Sequence, residues 1–300
     1  MTNENCYWHP DRYAGVTCQR CERRVCADCM HTASVGFHCP ACISPQSIDS
    51  RRQRRSFVRS SNRILTVSEQ SLITRTLIAI NLLAFLATLF RGGSLSSGGG
   101  DVTIDFGLVG YGRVLSTFSI DYVGVAEGEW WRMVTGGFLH AGFIHLAFNM
   151  FLLWMLGSQL ERILGGTSYL ILYFASLLSG ALGVMLLDPL ALTVGASGAV
   201  FGLMGATVIY QLRRGVSPWS NGIGTLLIIN LIFTFARPNI SVGGHLGGLL
   251  GGLLIGWVID EINKKRVAGY LSFLVPLIIT VALGFSCIWA SEYWYDPILG

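Results

Sequence analysis

Residues 195–206 read GASGAVFGLMGA and residues 243–252 read GGHLGGLLGG. Each stretch sets one chemically capable side chain, Ser197 or His245, in an apolar run dense with glycine. Gly198, Gly202 and Ala206 recur every four residues, as do Gly244, Gly248 and Gly252. Residues four apart share a helix face, and small residues on such a face let two helix backbones approach closely. The two stretches therefore predict two helices in contact, with Ser197 and His245 beside the contact faces. A serine hydroxyl is a weak nucleophile that needs a base within reach, and imidazole has the pKa for that task.

The surroundings of these stretches decide the solvent. The 300-residue chain is 52% hydrophobic and 13% charged, with mean hydropathy +0.54. Soluble domains carry about 25% charged residues, so an ordinary soluble enzyme is excluded, and the ample apolar surface excludes disorder. Crossing about 30 Å of hydrocarbon takes about 20 mostly apolar helical residues. Seven runs are predicted as spans, at 72–90, 136–157, 167–187, 195–212, 222–236, 241–260 and 269–290, the fifth being short. The 91–135 connection is apolar and aromatic around Phe106 to Tyr122 and at Trp130-Trp131, which suits a segment half immersed in the membrane interface.

Charge sets the expected orientation. Arg51, Arg52, Arg54, Arg55, Arg59 and Arg63 precede the first run, with Arg75 beside its start. Even-numbered spans exit at Glu161-Arg162, Arg213-Arg214 and Lys264-Lys265-Arg266, and odd ones at Arg91, Asp188, Arg237 and then Glu292 and Asp296. Positive charge is richer on the side of the N-terminus, which the positive-inside rule places in the cytoplasm. The C-terminus then falls outside, with Tyr293, Trp294 and Tyr295 at the interface. The N-terminus opens with Cys and His rather than a charged-then-apolar leader, so the head is expected to stay cytoplasmic. An arginine cluster abutting a span reads as a lipid-facing strip rather than a nucleic-acid site, and no nucleic-acid partner is expected.

Seven of the eight cysteines lie in the first 45 residues, as Cys6-x2-His9, Cys18-x2-Cys21, Cys26-x2-Cys29 and Cys39-x2-Cys42. Eight ligands suit two tetrahedral zinc ions, and a reducing cytoplasm disfavours disulfides. His31 and His38 are spare donors, either of which could replace a Cys in the last pair. Cys287, in the last span, is expected to be inert packing. The arrangement resembles a B-box or RING-like cross-brace, in which pairs one and three share one metal and pairs two and four the other. That resemblance puts Cys6, His9, Cys26 and Cys29 on one ion and Cys18, Cys21, Cys39 and Cys42 on the second. Such modules mostly bind proteins, so a cytoplasmic protein partner is expected and the zinc is expected to be structural.

Strongly polar residues within spans are functional candidates by default. Besides Ser197 and His245 they include His140, His145 and Asn149 on span two. His145 and Asn149 share a helix face, and both can donate a hydrogen bond to an oxyanion, as can the Ser197 amide at a helix N-terminus. An interhelical hydrogen-bond pair is the alternative for these two.

Together these residues resemble the rhomboid intramembrane serine proteases. The resemblance rests on Gly195-Ala196-Ser197-Gly198, on His245 followed by Gly248 and Gly252, and on His140, His145 and Asn149. Trp131-Arg132 and the spaced Gly157, Glu161 and Gly165 complete it, five motifs in order over 72–260. It implies an all-α polytopic fold, a six-helix core plus a C-terminal seventh helix. The expected domains are a zinc-stabilised head at 1–45, a basic linker at 46–71, the core at 72–260, and the seventh helix with an outer tail at 261–300.

The resemblance implies a Ser197-His245 dyad without an acidic third member, needing no cofactor. His145, Asn149 and the Ser197 amide would bind the oxyanion, while Trp131, Arg132, His140 and Glu161 would be structural. Many members carry tyrosine where Phe201 stands here, which keeps an aromatic face for the histidine. The implied substrates are transmembrane proteins cut near the outer ends of their helices. A non-enzymatic rhomboid-like binder of membrane helices is the alternative, and loss of Ser197 or His245 would have marked it. A solute transporter would show internal repeats, and none is visible.

Overall fold

The computed structural model describes residues 4–32, 36–42, 71–115, 119–265 and 270–293. Most of the basic linker, and Arg266, Trp294, Tyr295 and Asp296, lie outside the described residues. The chain divides into two units, Met1–Val67 and Ser68–Gly300.

The first unit is too small for an ordinary apolar core. Its short strands pair as β1 (Val16–Thr17) with β2 (Arg24–Val25) and β3 (His31–Thr32) with β4 (Phe37–His38), both antiparallel. Its buried centre consists of Cys6, Cys18, Cys26, Cys29 and Cys39, with Ala14 and Val25. A chain this short ordinarily needs metal or disulfide to hold such a centre. All the cysteines are free thiols.

The second unit is a helical bundle. Its long helices are α1 (Leu72–Phe90), α4 (Phe143–Leu164), α5 (Gly166–Leu187), α6 (Ser197–Leu212), α7 (Ile223–Ala236), α8 (Val242–Lys264) and α9 (Leu271–Tyr293). Between α1 and α4 lie the short helices α2 (Asp101–Phe106) and α3 (Arg132–Thr135), and a hairpin of β5 (Gly112–Leu115) and β6 (Ile120–Val123). Five helices are long and apolar enough to cross a membrane; α6 and α7 are apolar but shorter, with 16 and 14 residues. This is a multi-pass membrane protein with a six-helix core and a seventh C-terminal helix. Large apolar side chains such as Leu83, Ile232, Phe235 and Phe285 face outward, where lipid rather than water solvates them.

Helix α5 is the hub. Within its most apolar stretch 61% of the residues are buried, against 17% for α9. Glycine lets α6 and α8 close on each other. A Cβ on Gly248 would collide with the carbonyl oxygen of Gly198, and one on Gly252 with that of Gly202. Gly247 meets α5 in the same way at the Ser179 carbonyl oxygen. Small residues four apart thus become direct backbone contacts.

Span two departs from the sequence expectation of 136–157. Residues Gly136–Phe138 form a 3-10 turn, the chain breaks at Gly142, and α4 then runs to Leu164 through a π-helical stretch at Leu153–Gly157. Gly142 has φ +100°, and a Cβ there would collide with the Ser96 carbonyl oxygen, so the helix starts after it. The helix extends past Glu161 because that carboxylate finds protein donors. Glu161 accepts from the backbone N–H groups of Ile73 and Thr74, both at 2.9 Å, and from the Thr74 hydroxyl at 2.7 Å. It thereby satisfies free amides in the first turn of α1.

A clasp joins the far ends of α6 and α8. Arg213 pairs with Asp260 at 2.5 Å and with Glu261, and Lys264 reaches Asp260 at 3.1 Å. Cations at the end of α6 also suit its dipole. Ser197 and His245 sit at the opposite, N-terminal ends of these two parallel helices.

Candidate active site and metal-ligand clusters

Ser197 is the first residue of α6, and the turn before it depends on Gly195. That residue has φ +132°, and a Cβ on it would stand 2.7 Å from Cε1 of the His145 ring. Only glycine fits both demands. The approach to the serine is pinned by backbone pairing of Leu108 with Thr193, at 3.0 and 2.7 Å, and by the Gly195 N–H donating to Gly136 at 2.9 Å.

The glycine contact of α6 and α8 brings Ser197 Oγ to 2.8 Å from Nε2 of His245. Phe201, one turn along α6, stacks on the imidazole with ring centroids 4.2 Å apart and an interplanar angle of 20°. The other ring nitrogen, Nδ1, lies 2.7 Å from the Thr234 hydroxyl on α7. Ser241 caps α8 by accepting from the Gly244 N–H at 3.0 Å.

These groups line a cavity of about 880 Å³ among α4, α5, α6, α7 and α8. His145 and Asn149 line it too. His145 is only two residues into α4, not ten residues into a span, because of the break at Gly142. Its Nδ1 accepts the Ala141 N–H at 3.3 Å. The neutral ring therefore carries its proton on Nε2, which lies beside Gly195. Asn149 donates one amide proton to the His145 carbonyl at 2.9 Å, which leaves the second proton of that amide available.

The remaining motif residues form supports. Arg132 is buried and bonded to Glu129 at 2.6 Å and to the carbonyls of Ile104 and Gly107 at 2.7 and 2.8 Å. It thus ties the first loop together, while Trp131 beside it is half exposed. His140 is buried, edge-on to His145 with centroids 5.1 Å apart.

Thr234 and Asn230 escaped the sequence reading. They lie four apart on α7, so they share a face, and both are buried in an otherwise apolar helix. The rule that flags polar residues inside spans applies to them equally.

In the first unit, the side-chain ligand atoms of Cys6, His9, Cys26 and Cys29 lie within 4.8 Å of one another, as do those of Cys18, Cys21, Cys39 and Cys42. Nδ1 of His9 stands 4.0, 3.5 and 3.3 Å from the sulfurs of Cys6, Cys26 and Cys29. Ligand bonds of about 2.0–2.3 Å in a tetrahedron give edges of about 3.3–3.8 Å, so both clusters could hold a metal ion. His31 and His38 pair in the β3–β4 register and belong to neither cluster.

The thiols also compete in a way that a cation would relieve. Burial opposes ionisation of Cys6, but backbone donors from Cys26, Trp8 and His9 bring it down to about 6. Hydrogen bonds to Cys21 and Cys39 push Cys42 up to about 12. A divalent ion stabilises all the thiolates at once.

The second unit has relatives among known proteins. The family model described as the Rhomboid domain matches residues 127–261. Rhomboid protease GluP of Bacillus subtilis is 34% identical over 216 residues, covering 71% of this chain; the chain spans only 39% of that relative's length. YdcA of Bacillus subtilis, likewise named for the rhomboid proteases, is 39% identical over 148 residues, 48% of this chain and 74% of that protein. RHOMBOID-like protein 5 of Arabidopsis thaliana is 39% identical over 121 residues, 40% of this chain and 38% of its own.

Proposed function

Because the chain belongs to the rhomboid family, we propose that it is an intramembrane serine endopeptidase that cuts transmembrane helices of other proteins near their outer ends. The observation that carries this reading is the 2.8 Å approach of Ser197 Oγ to His245 Nε2 inside a cavity of a membrane-embedded bundle. In this mechanism Nε2 takes the hydroxyl proton as Oγ attacks the scissile carbonyl carbon. The carbonyl oxygen becomes an oxyanion. The Nε2–H of His145, the free amide proton of Asn149 and the backbone N–H of Ser197 are its donors, and the positive end of α6 adds to them. The imidazolium then gives its proton to the leaving amine. A water, deprotonated by His245, hydrolyses the acyl-serine.

Depth supports the assignment. Sixteen residues at about 1.5 Å rise give α6 a length of about 24 Å, against about 30 Å of hydrocarbon. A helix this short starts below the membrane surface, at the floor of a cavity through which water can enter. A substrate helix must unwind there, because its carbonyls are otherwise bonded within the helix. Glycine or proline near its outer end should favour cutting.

The flanking charges support a cytoplasmic N-terminus and an outer C-terminus. The first unit fits two structural zinc ions, one held by Cys6, His9, Cys26 and Cys29 and the other by Cys18, Cys21, Cys39 and Cys42. Zinc supplies closed tetrahedral cross-links when bound. The module's role in this reading is to engage a cytoplasmic protein or substrate tail. A reconstituted cleavage assay with a single-span substrate tests the central reading. The wild-type chain should cut, and neither Ser197→Ala nor His245→Ala should. Equal product from Ser197→Ala would overturn it.

A further inference from the structure

A serine-histidine pair works only if the histidine presents its lone pair, not its proton, to the serine. Triads meet this need with a carboxylate on the other ring nitrogen. Here the side-chain hydrogen-bond partners of His245 among the described residues are Ser197 and Thr234, and neither is acidic.

The hydrogen atoms can be assigned by elimination. The Thr234 hydroxyl lies 2.7 Å from His245 Nδ1 and 2.7 Å from the backbone carbonyl oxygen of Asn230. Two oxygens at that separation need a proton between them, and a carbonyl has none to give. The hydroxyl has one proton, so it goes to Asn230. The Thr234 oxygen can then face Nδ1 only as an acceptor, which requires that Nδ1 carry the ring proton. Nε2 is left bare and accepts from Ser197. Every donor in the chain points the same way, from Ser197 through His245 and Thr234 to the Asn230 carbonyl. Thr234 is 1% exposed, so bulk water does not compete for its hydroxyl.

We propose that Thr234, oriented by the Asn230 carbonyl, is the positioning residue that holds His245 in its Nδ1–H tautomer and so stands in place of a triad's carboxylate. The proposal rests on the Ser197-His245 reading. It extends the site onto α7, a helix that carries none of the motifs. A neutral hydroxyl does not pair its charge with an imidazolium as a carboxylate does, so orientation of the ring is its main contribution.

The test uses the full chain in lipid nanodiscs, with 15N-histidine labelling and a single-span substrate. In the wild type, His245 should give a protonated Nδ1 and an unprotonated Nε2. Thr234→Val keeps the shape and removes the acceptor. It should yield a mixture of tautomers and lower kcat about tenfold or more, as loss of one strong hydrogen bond allows, with KM within about twofold. Thr234→Ser should restore the tautomer and bring kcat to within about threefold of wild type. A wild-type His245 protonated on Nε2 overturns the proposal, and so does a Thr234→Val chain with unchanged tautomer, whatever its rate. The wild-type spectrum stands even where Thr234→Val does not fold. Failure of the dyad reading appears separately, as cleavage retained in Ser197→Ala.

Discussion

The two units of this chain solve one problem in opposite ways. Each gathers reactive side chains that a random chain would keep apart. The first unit does it locally: paired ligands with two residues between them sit on tight turns, and the two clusters form around sulfur and nitrogen with scarcely any apolar core. The second does it at long range. Ser197 and His245 are 48 residues apart, and they meet because α6 and α8 have no side chains where they cross. The contrast separates order that a bound ion could supply from order that backbone packing supplies. It also predicts that the two fail under different insults.

Metal removal should have the largest effect, and only on the first unit. Structural zinc contributes about 10–16 kcal/mol to modules of this size. Elemental analysis of the purified chain should find about two zinc ions. A strong chelator should abolish the amide protection of residues 4–42 while cleavage of a short substrate persists, and deletion of residues 1–45 should likewise spare cleavage. Loss of cleavage in correctly inserted protein would erase the contrast.

Packing should break the second unit only. Gly248→Leu drives a side chain into the Gly198 carbonyl. Overpacking of this kind costs about 1–3 kcal/mol, and here it also moves His245 away from Ser197. Cleavage should fall by more than about 100-fold, with zinc content unchanged. A lone Cβ already collides with that carbonyl oxygen, so even Gly248→Ala should be measurably slower.

Two further substitutions in the second unit should have smaller effects. Phe201→Ala removes the ring that stacks on His245 and should slow cleavage about tenfold, whereas Phe201→Tyr should stay within about threefold; an aromatic contact is worth about 0.5–1.5 kcal/mol. Glu161→Gln replaces one carboxylate oxygen with a donor that faces donors. Denaturant or thermal unfolding should show a loss of about 1–3 kcal/mol, with residual folded enzyme cutting at a near-normal rate.

What the sequence revealed follows the same division. The cysteine pairs were readable because their spacing is local. The serine, the histidines and the asparagine were readable because polar groups are conspicuous in apolar runs. Hydropathy could not see the break at Gly142, since a positive φ and a close Ser96 carbonyl are properties of the folded backbone. It also ended span two too early, because a charged Glu161 reads as solvent-facing until the amides of α1 are seen to absorb it. The Arg213-Asp260 clasp and the Thr234 contact join helices through pairs that carry no periodic signal. Neither could be read from one strand of text.

Cooperation between Ser197 and His245 is tested most directly by a fluorophosphonate probe, which phosphonylates only an activated serine. Peptide mapping by mass spectrometry should find the adduct on Ser197 in the wild-type chain and none in His245→Ala. Equal labelling of His245→Ala, or an adduct on a different serine, would contradict the account.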